Sequence, residues 1–486
     1  MSKHPIRDKL GHPVIDADGH ILELEPLYHD YLRQSGGKEA LDAFSAQTTA
    51  IGRWYTASPE ERASERIRRP AFGLPTKNVL DLATVMMPRL LYSRLDSIGI
   101  DYCVCYPTST LMFLGYGDRD LRRAIVRAVN RCHADLVREF SDRMTIAALI
   151  PMQNPDDAIA ELEYAVETLG FKVVVIEAMV RRPVAAIANA YPDMPPALQR
   201  QAVWIDNYAL ESEHDYDPFW KRCVELGVNV TSHTPAYWGG RASTTSYLNN
   251  HLGQFADAAE ALLKAVLLGG VTKRFPTIKF GFLEGGVGWA CRLYSDIIEH
   301  FEKRNSEAME NYHPDHLDDD KLRRLCIEYG GPEMAALWKP TLEETCPLLW
   351  VLAGWCLDDR AQLDEWQRSG ITSKQDLRDK FTTNFYFGCE GDDRTVAWAF
   401  DTKRLPLGAK LHPMFGSDIG HWDVVDIQRV LDEAYKLVEK GILDADQFRD
   451  FTFANAARFH GTTNPTFFKG TIVEDAVAEV LARGAS

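Results

Sequence analysis

The feature that most restricts how this chain can fold is an alternation of short apolar runs with stretches whose apolar residues recur at three and four. Such runs read as buried strands, and the stretches between them as amphipathic helices. The strand-like runs cover residues 14–20, 99–106, 144–150, 171–176, 228–233, 278–284, 384–390 and 411–417. Helical patterns cover 121–140, 154–169, 218–226, 256–268, 424–440 and 445–459. Strand then helix, repeated, predicts parallel pairing with right-handed crossovers. Eight strands of this kind fit an α/β fold, a (β/α)8 TIM barrel, better than an open doubly wound sheet. The fingerprints of other α/β enzymes (GxGxxG, a phosphate loop, a GxSxG elbow) are missing from the sequence.

Two large insertions interrupt the repeat within what reads as one barrel domain over 1–486. The first, 21–95, follows strand 1, is rich in Tyr, Arg and Pro, and is expected to be mostly helical and to cross the barrel mouth. Trp54, Arg68 and Arg69 within it would either cap a pocket and bind a substrate carboxylate or simply pack a lid. The second, 300–380, follows strand 6, and its acidic run Asp318, Asp319, Asp320 reads as a solvated turn.

In a barrel of this type chemistry gathers where the strands end. The first strand runs into Asp16-Ala17-Asp18-Gly19-His20, and a period of two places Asp16, Asp18 and His20 on one face. Buried charges of one sign cost several kcal/mol unless a counter-charge sits among them. A divalent metal ion would supply it; an exposed turn bent by Gly19 is the plainer alternative. The other strand ends decide between the two. They carry Gln153, Glu177, His233, Glu284, and Asp418 with His421, a set too uniformly acidic and imidazole for chance. Each has a bland reading, such as a hydrogen-bonded core histidine at His233 or a Glu177 ion pair with Arg181 or Arg182. Together they predict a metal site.

Composition narrows the partners. A formal net charge of -16 argues against nucleic acid and against an anionic membrane surface. No apolar run approaches the roughly 20 residues of a membrane span, and the first residues lack the apolar segment of a signal peptide, so a cytoplasmic protein with a small-molecule substrate is expected. The nine cysteines form no CxxC pair and several lie in apolar runs, which predicts reduced core thiols rather than a catalytic one.

The segments Asp16-Ala-Asp-Gly-His20, Ser232-His233, Phe275-Pro-Thr-Ile-Lys-Phe-Gly-Phe-Leu-Glu-Gly-Gly-Val-Gly-Trp289, Phe415-Gly-Ser-Asp-Ile-Gly-His-Trp-Asp423 and Asn455-Ala-Ala-Arg-Phe-His-Gly461 resemble the amidohydrolase superfamily. Within it the likeness is to the amidohydrolase-related group that includes aminocarboxymuconate-semialdehyde decarboxylase and gamma-resorcylate decarboxylase. The resemblance spans the barrel but neither insertion. It implies a metal held by Asp18, His20, His233 and Asp418, and a homodimer or a hetero-oligomer with a related barrel subunit. The sequence departs from the usual HxH by its carboxylate at Asp18, and has Glu284 where many members place a histidine.

Charge counting adds a constraint. Asp18, Glu177, Glu284 and Asp418, taken together as site groups, would bring four negative charges against the two of one ion. Like charges about 4 Å apart repel by about 4 kcal/mol at an effective dielectric near 20. Either one carboxyl stays protonated, as a general acid would, or a second ion binds. Oxygen-rich ligation favours manganese or iron over zinc. The expected activity is a metal-dependent hydrolase or non-oxidative decarboxylase acting on a small carboxylated or aromatic substrate, through metal-activated water or metal-chelated substrate. Glu284 or His421 would donate the proton in decarboxylation, and Asp418 would act as ligand and base in hydrolysis. A non-haem di-iron oxygenase on the same fold, and a catalytically silent partner subunit with a structural metal, are the alternatives.

Overall fold

The computed structural model describes residues 3–70, 74–199, 201–233, 242–354 and 364–483. The chain forms two compact units, one of Met1–Leu293 with Arg378–Ser486, the other of Tyr294–Leu377.

The larger unit holds β1 (Ile15–Ile21), β2 (Tyr102–Pro107), β3 (Met144–Ile146), β4 (Ala148–Leu149), β5 (Val174–Ile176), a hairpin of β6 (Val180–Pro183) and β7 (Val203–Asp206), then β8 (Val230–Ser232), β9 (Phe280–Phe282), β10 (Phe385–Glu390) and β11 (Pro413–Gly416). Apart from the antiparallel hairpin, every pairing is parallel. β3 and β4 are one strand in two pieces: the Ala147 amide bonds back to Cys105 and the Ala148 amide forward to Val173. The order is therefore β1, β2, β3/β4, β5, β8, β9, β10, β11. The Asp418 amide donates to the Asp18 carbonyl at 3.0 Å and closes the ring from the last strand to the first. Eight parallel segments in a ring make the expected TIM barrel.

These strands are almost wholly buried along their length, as in parallel sheets covered on both faces. Most are shorter than their apolar runs suggested. In β9, for example, only Phe280, Gly281 and Phe282 are paired within the run 278–284. The residues beyond the pairing turn over the mouth, where the polar side chains lie. Helices Arg119–Val137, Pro155–Glu163, Asp217–Leu226 and Gln254–Leu268 connect the strands, close to the predicted spans. Asp118 and Asn154 start the first two by accepting backbone N–H bonds. Between β1 and β2 lie helices His29–Ile51, Pro59–Ser64, Val79–Met86 and Pro88–Ile98.

The hairpin β6/β7 has no counterpart in the sequence pattern. It seats Arg182 against Asp206 (2.9 Å), rather than against Glu177. In the smaller unit, Asp318 caps helix Asp319–Tyr329 through the Lys321 amide at 2.8 Å, so the acidic run opens a helix instead of forming a turn. Trp366 packs edge-on to Phe301, 5.2 Å between centroids, in the same unit. Among the described residues no helix is long and apolar enough to cross a membrane.

Candidate metal centre

Five side chains from four strand ends converge at one mouth of the ring. From β1 come Asp18 and His20; His233 follows β8, Glu284 follows β9, and Asp418 follows β11. All are at least nine-tenths buried at the side chain. His20 Nε2 lies 3.6 Å from Asp18 Oδ1 and 3.3 Å from Asp418 Oδ1. His233 Nε2 lies 3.5 Å from Asp18 Oδ1 and 3.2 Å from Glu284 Oε2. His421 Nδ1 reaches Asp418 Oδ1 at 2.6 Å, and its ring sits 4.0 Å from that of His20.

The first strand does not present Asp16, Asp18 and His20 on a single face. Its register slips between Asp16 and Gly19, which sends Asp16 to the seam between β1 and β11. There it accepts from the Ser417 amide (2.9 Å), the Ser417 hydroxyl (2.5 Å) and the Cys103 thiol (3.3 Å). Gly19 permits this packing, since a Cβ there would stand 2.6 Å from Asp16 Oδ2 and from Cys103 Sγ. Asp16 thus ties the ring shut, and Asp18 and His20 alone face the centre.

Two of the converging residues hold a backbone conformation that side chains disfavour, with φ of 56° at Glu284 and 50° at Asp418. The left-handed region costs a residue with a Cβ about 1 kcal/mol or more, and such strain concentrates at functional sites. In both cases it turns a carboxylate at the end of a short strand inward.

The electrostatics of the cluster are uncompensated. Asp18 Oδ1, His20 Nε2, His233 Nε2, Glu284 Oε2 and Asp418 Oδ2 are buried with no hydrogen-bond partner among the described residues. Burial, followed by repulsion from neighbouring carboxylates, drives the Asp18, Glu284 and Asp418 carboxyls well above their usual range. Burial also lowers His233 to about 3 and His421 to about 4, and holds His20 well below its usual value. Neutral imidazoles with free lone pairs beside carboxylates lacking a counter-charge could hold a divalent cation. Thr108 Oγ1 stands 3.4 Å from the other ring nitrogen of His20, leaving Nε2 for the centre. Asp18/His20/His233, His20/Asp418/His421 and His233/Glu284/Asp418 each place their ligand atoms within 4.8 Å of one another.

Glu177, predicted as a ligand from its strand end, stands apart. Its carboxylate accepts from the Gln153 amide at 2.9 Å, and burial raises it to about 7. It belongs to none of these groups among the described residues. A strand end fixes where a residue starts, but the side chain of Glu177 turns toward Gln153 rather than the centre of the ring.

Three neighbours escaped the strand-end rule. Glu390 and Asp423 join Asp418 in a fourth cluster. His251, on helix Tyr247–His251, brings Nε2 to 3.5 Å from Glu284 Oε1. Glu390 closes an apolar strand and could have been found as a strand end; His251 lies on a helix and carried no sequence signal. Around them stand Tyr106, stacked 5.7 Å from His233, Phe255, edge-on at 5.5 Å, and Trp422, edge-on to His251 at 5.7 Å. Arg68 of the first insertion donates to Gln254 at 2.9 Å, and Trp54 packs beneath the guanidinium groups of Arg62 and Arg69.

Several solved structures are similar to this chain at low identity. A 2,6-dihydroxybenzoate decarboxylase from Rhizobium is similar at 15% identity and a TM-score of 0.47, over 93% of this chain and 99% of that one. A 5-carboxyvanillate decarboxylase from Novosphingobium aromaticivorans, solved with bound manganese, is similar at 15% identity and a TM-score of 0.48, over 95% and 99%. An amidohydrolase from Mycobacterium avium subsp. paratuberculosis is similar at 16% identity and a TM-score of 0.46, over 79% and 76%. These likenesses are distant, and no curated protein matches the chain. The sequence profile described as Amidohydrolase, by contrast, matches residues 107–362, more than half of the chain. By that match the chain belongs to the amidohydrolase family.

Proposed function

We propose that this protein is a metal-dependent hydrolase or non-oxidative decarboxylase acting on a small carboxylated or aromatic molecule. The observation that carries the reading is the set of buried, unpartnered acceptor atoms on Asp18, His20, His233, Glu284 and Asp418. A structural role would leave such atoms hydrogen-bonded; a ligand set leaves them open.

Asp18, His20, His233 and Asp418 would hold the ion, with Glu284 as a further ligand or as the acid. When bound, a divalent ion polarises a substrate oxygen or acidifies water. The residues of the chain supply the rest. Glu284, whose carboxyl is pushed well above its usual range by burial and by the carboxylates around it, would be the group that carries a proton to the carbon that loses carbon dioxide. His251 lies against Oε1 of Glu284 and His233 against Oε2, which fixes the carboxyl from both sides. His421, 2.6 Å from Asp418, can pass a proton to or from that carboxylate, the pair hydrolysis would use as a base. Tyr106, Phe255 and Trp422 wall the mouth with rings that suit a planar substrate, and the positive charge of Arg68 reaches His251 and would attract a carboxylate.

The test is metal analysis of protein purified without chelator, followed by assays of carbon dioxide release and of ester or amide hydrolysis on aromatic carboxylic acids, with and without oxygen. The reading predicts a tightly bound divalent ion and turnover that does not need oxygen. Oxygen-dependent hydroxylation with iron would replace it by the oxygenase alternative, which the richness of the site in carboxylates favours.

A further inference from the structure

We propose that Glu23 is a positioning residue of the metal centre: it pins the turn after β2 so that Thr108 holds His20 with its Nε2 lone pair toward the ion. The inference rests on the metal-dependent reading. It adds to that reading a carboxylate that holds no ion itself, since Glu23 belongs to none of the possible ligand groups among the described residues.

Glu23 lies three residues beyond His20, where the chain leaves β1. Its carboxylate gathers five donors from three consecutive residues. Oε2 accepts from the amides of Thr108 (3.2 Å) and Ser109 (2.8 Å) and from the Ser109 hydroxyl (2.8 Å). Oε1 accepts from the Thr110 amide (2.8 Å) and hydroxyl (2.6 Å). These residues join the end of β2 to the helical turn Thr110–Gly115, and Ser109, which starts that turn, makes no capping bond of its own. The turn is therefore held by a carboxylate from the neighbouring strand end, and β1 and β2 are fastened together at the mouth.

The consequence falls on a single proton. Thr108 Oγ1 donates its one hydrogen to the Ile21 carbonyl at 2.9 Å. At 3.4 Å from His20 Nδ1 the same oxygen can only accept, so Nδ1 carries the ring hydrogen. The Tyr106 carbonyl, opposite His20 in the register of β1 with β2, is a second acceptor for that ring. Nε2 is then a lone pair, and it is the atom that lies 3.3 Å from Asp418 Oδ1 with no hydrogen-bond partner among the described residues. The tautomer of a ligand histidine is set by what its other nitrogen meets, and removing that partner costs metal affinity. Without Glu23 the amides of residues 108–110 lose their common acceptor and Thr108 Oγ1 can swing away from the ring. His20 is then able to put its hydrogen on Nε2, where it would block the ion.

The experiment uses the full chain, stripped with chelator and titrated with manganese(II), the free ion being read by electron paramagnetic resonance; urea midpoints in chelator confirm folding. Thr108→Val keeps the shape and loses the acceptor, and Glu23→Gln turns an NH2 group toward donors. Each is expected to weaken manganese binding about 10- to 100-fold, while Thr108→Ser stays near the wild type. The double variant Glu23→Gln/Thr108→Val is expected to bind no worse than the weaker single one, because both act on one proton. Wild-type affinity in either single variant, a Thr108→Ser as weak as Thr108→Val, or losses that multiply in the double variant overturn the positioning role and leave the metal reading standing. A wild type that binds no manganese overturns both. If Glu23→Gln does not fold, Ser109→Ala, which removes one donor to Glu23, takes its place and must weaken binding in the same direction; wild-type affinity there overturns the role of Glu23.

Discussion

Two places in the barrel unit bury charge, and they treat it in opposite ways. Behind the hairpin, every arm of Arg182 is answered: Nε donates to Asp206 (2.9 Å), Nη1 to the Gln153 carbonyl (2.6 Å) and Nη2 to the Tyr216 hydroxyl (2.8 Å). Asp206 is completed by the Tyr208 amide and the Ser212 hydroxyl, both at 2.7 Å. At the mouth, Asp18, His20, His233, Glu284 and Asp418 are just as buried and keep their acceptors open. The first arrangement is finished within the chain and serves stability. The second is left open among the described residues, and it carries strained backbone at Glu284 and Asp418 as well.

The contrast is most exposed to a substitution in the finished network. Arg182→Met should strand Asp206 in the interior and lower stability by about 3–5 kcal/mol, read as a shift of the urea midpoint. At the mouth the opposite should hold for the metal-free protein. Asp418→Asn removes one of several crowded carboxyls, and its midpoint in chelator should equal or exceed that of the wild type. A large loss there would show that the site is held together as the hairpin is.

Metal should reverse that ranking. Manganese at a hundred times its dissociation constant should stabilise the wild type by about 2.7 kcal/mol and leave Asp418→Asn unmoved. Equal stabilisation of both would separate Asp418 from the ligand set. Between the two regimes stands Asp16, whose carboxyl belongs to the seam. Ser417→Ala should cost about 1.5 kcal/mol, the scale of a hydrogen bond to a charged group, whether metal is present or absent. A cost that appeared only with metal would return Asp16 to the centre.

A pH-dependent effect concerns a buried imidazole away from the mouth. His460, stacked 4.2 Å from Phe467, is held down to about 3 by burial. Its folded pKa lies below the unfolded value near 6.5, so the unfolded chain takes up the proton first. Its contribution is flat above pH 6.5 and is lost as pH falls toward 3, by up to about 1.4 kcal/mol per unit. His460→Phe should therefore gain on the wild type steadily below pH 6.5 in parallel unfolding curves. A constant difference from pH 7.5 to 4.5 would contradict the assignment of a neutral buried ring.

The comparison also shows what a sequence can disclose. The ring of strands was legible because each buried strand leaves a continuous apolar run, and Asp18, His20, His233, Glu284, Asp418 and His421 were legible because they close such runs. Asp16 was misplaced because a slip at Gly19 breaks the period of two, and that slip depends on packing against Cys103 and Ser417. Glu177 was misplaced because the direction of a side chain beyond a strand end is set by its neighbours, here Gln153. His251 and the Arg182 network were invisible because they depend on a helix and a hairpin meeting residues distant in sequence, and no local periodicity encodes such meetings.

Anomalous diffraction from crystals loaded with manganese puts the central claim to its most direct test. A peak within about 2.5 Å of His20, His233, Asp18 and Asp418 ligand atoms is the predicted result. A cluster with no peak, its histidines and carboxylates hydrogen-bonded to one another as in the Arg182 network, would contradict it.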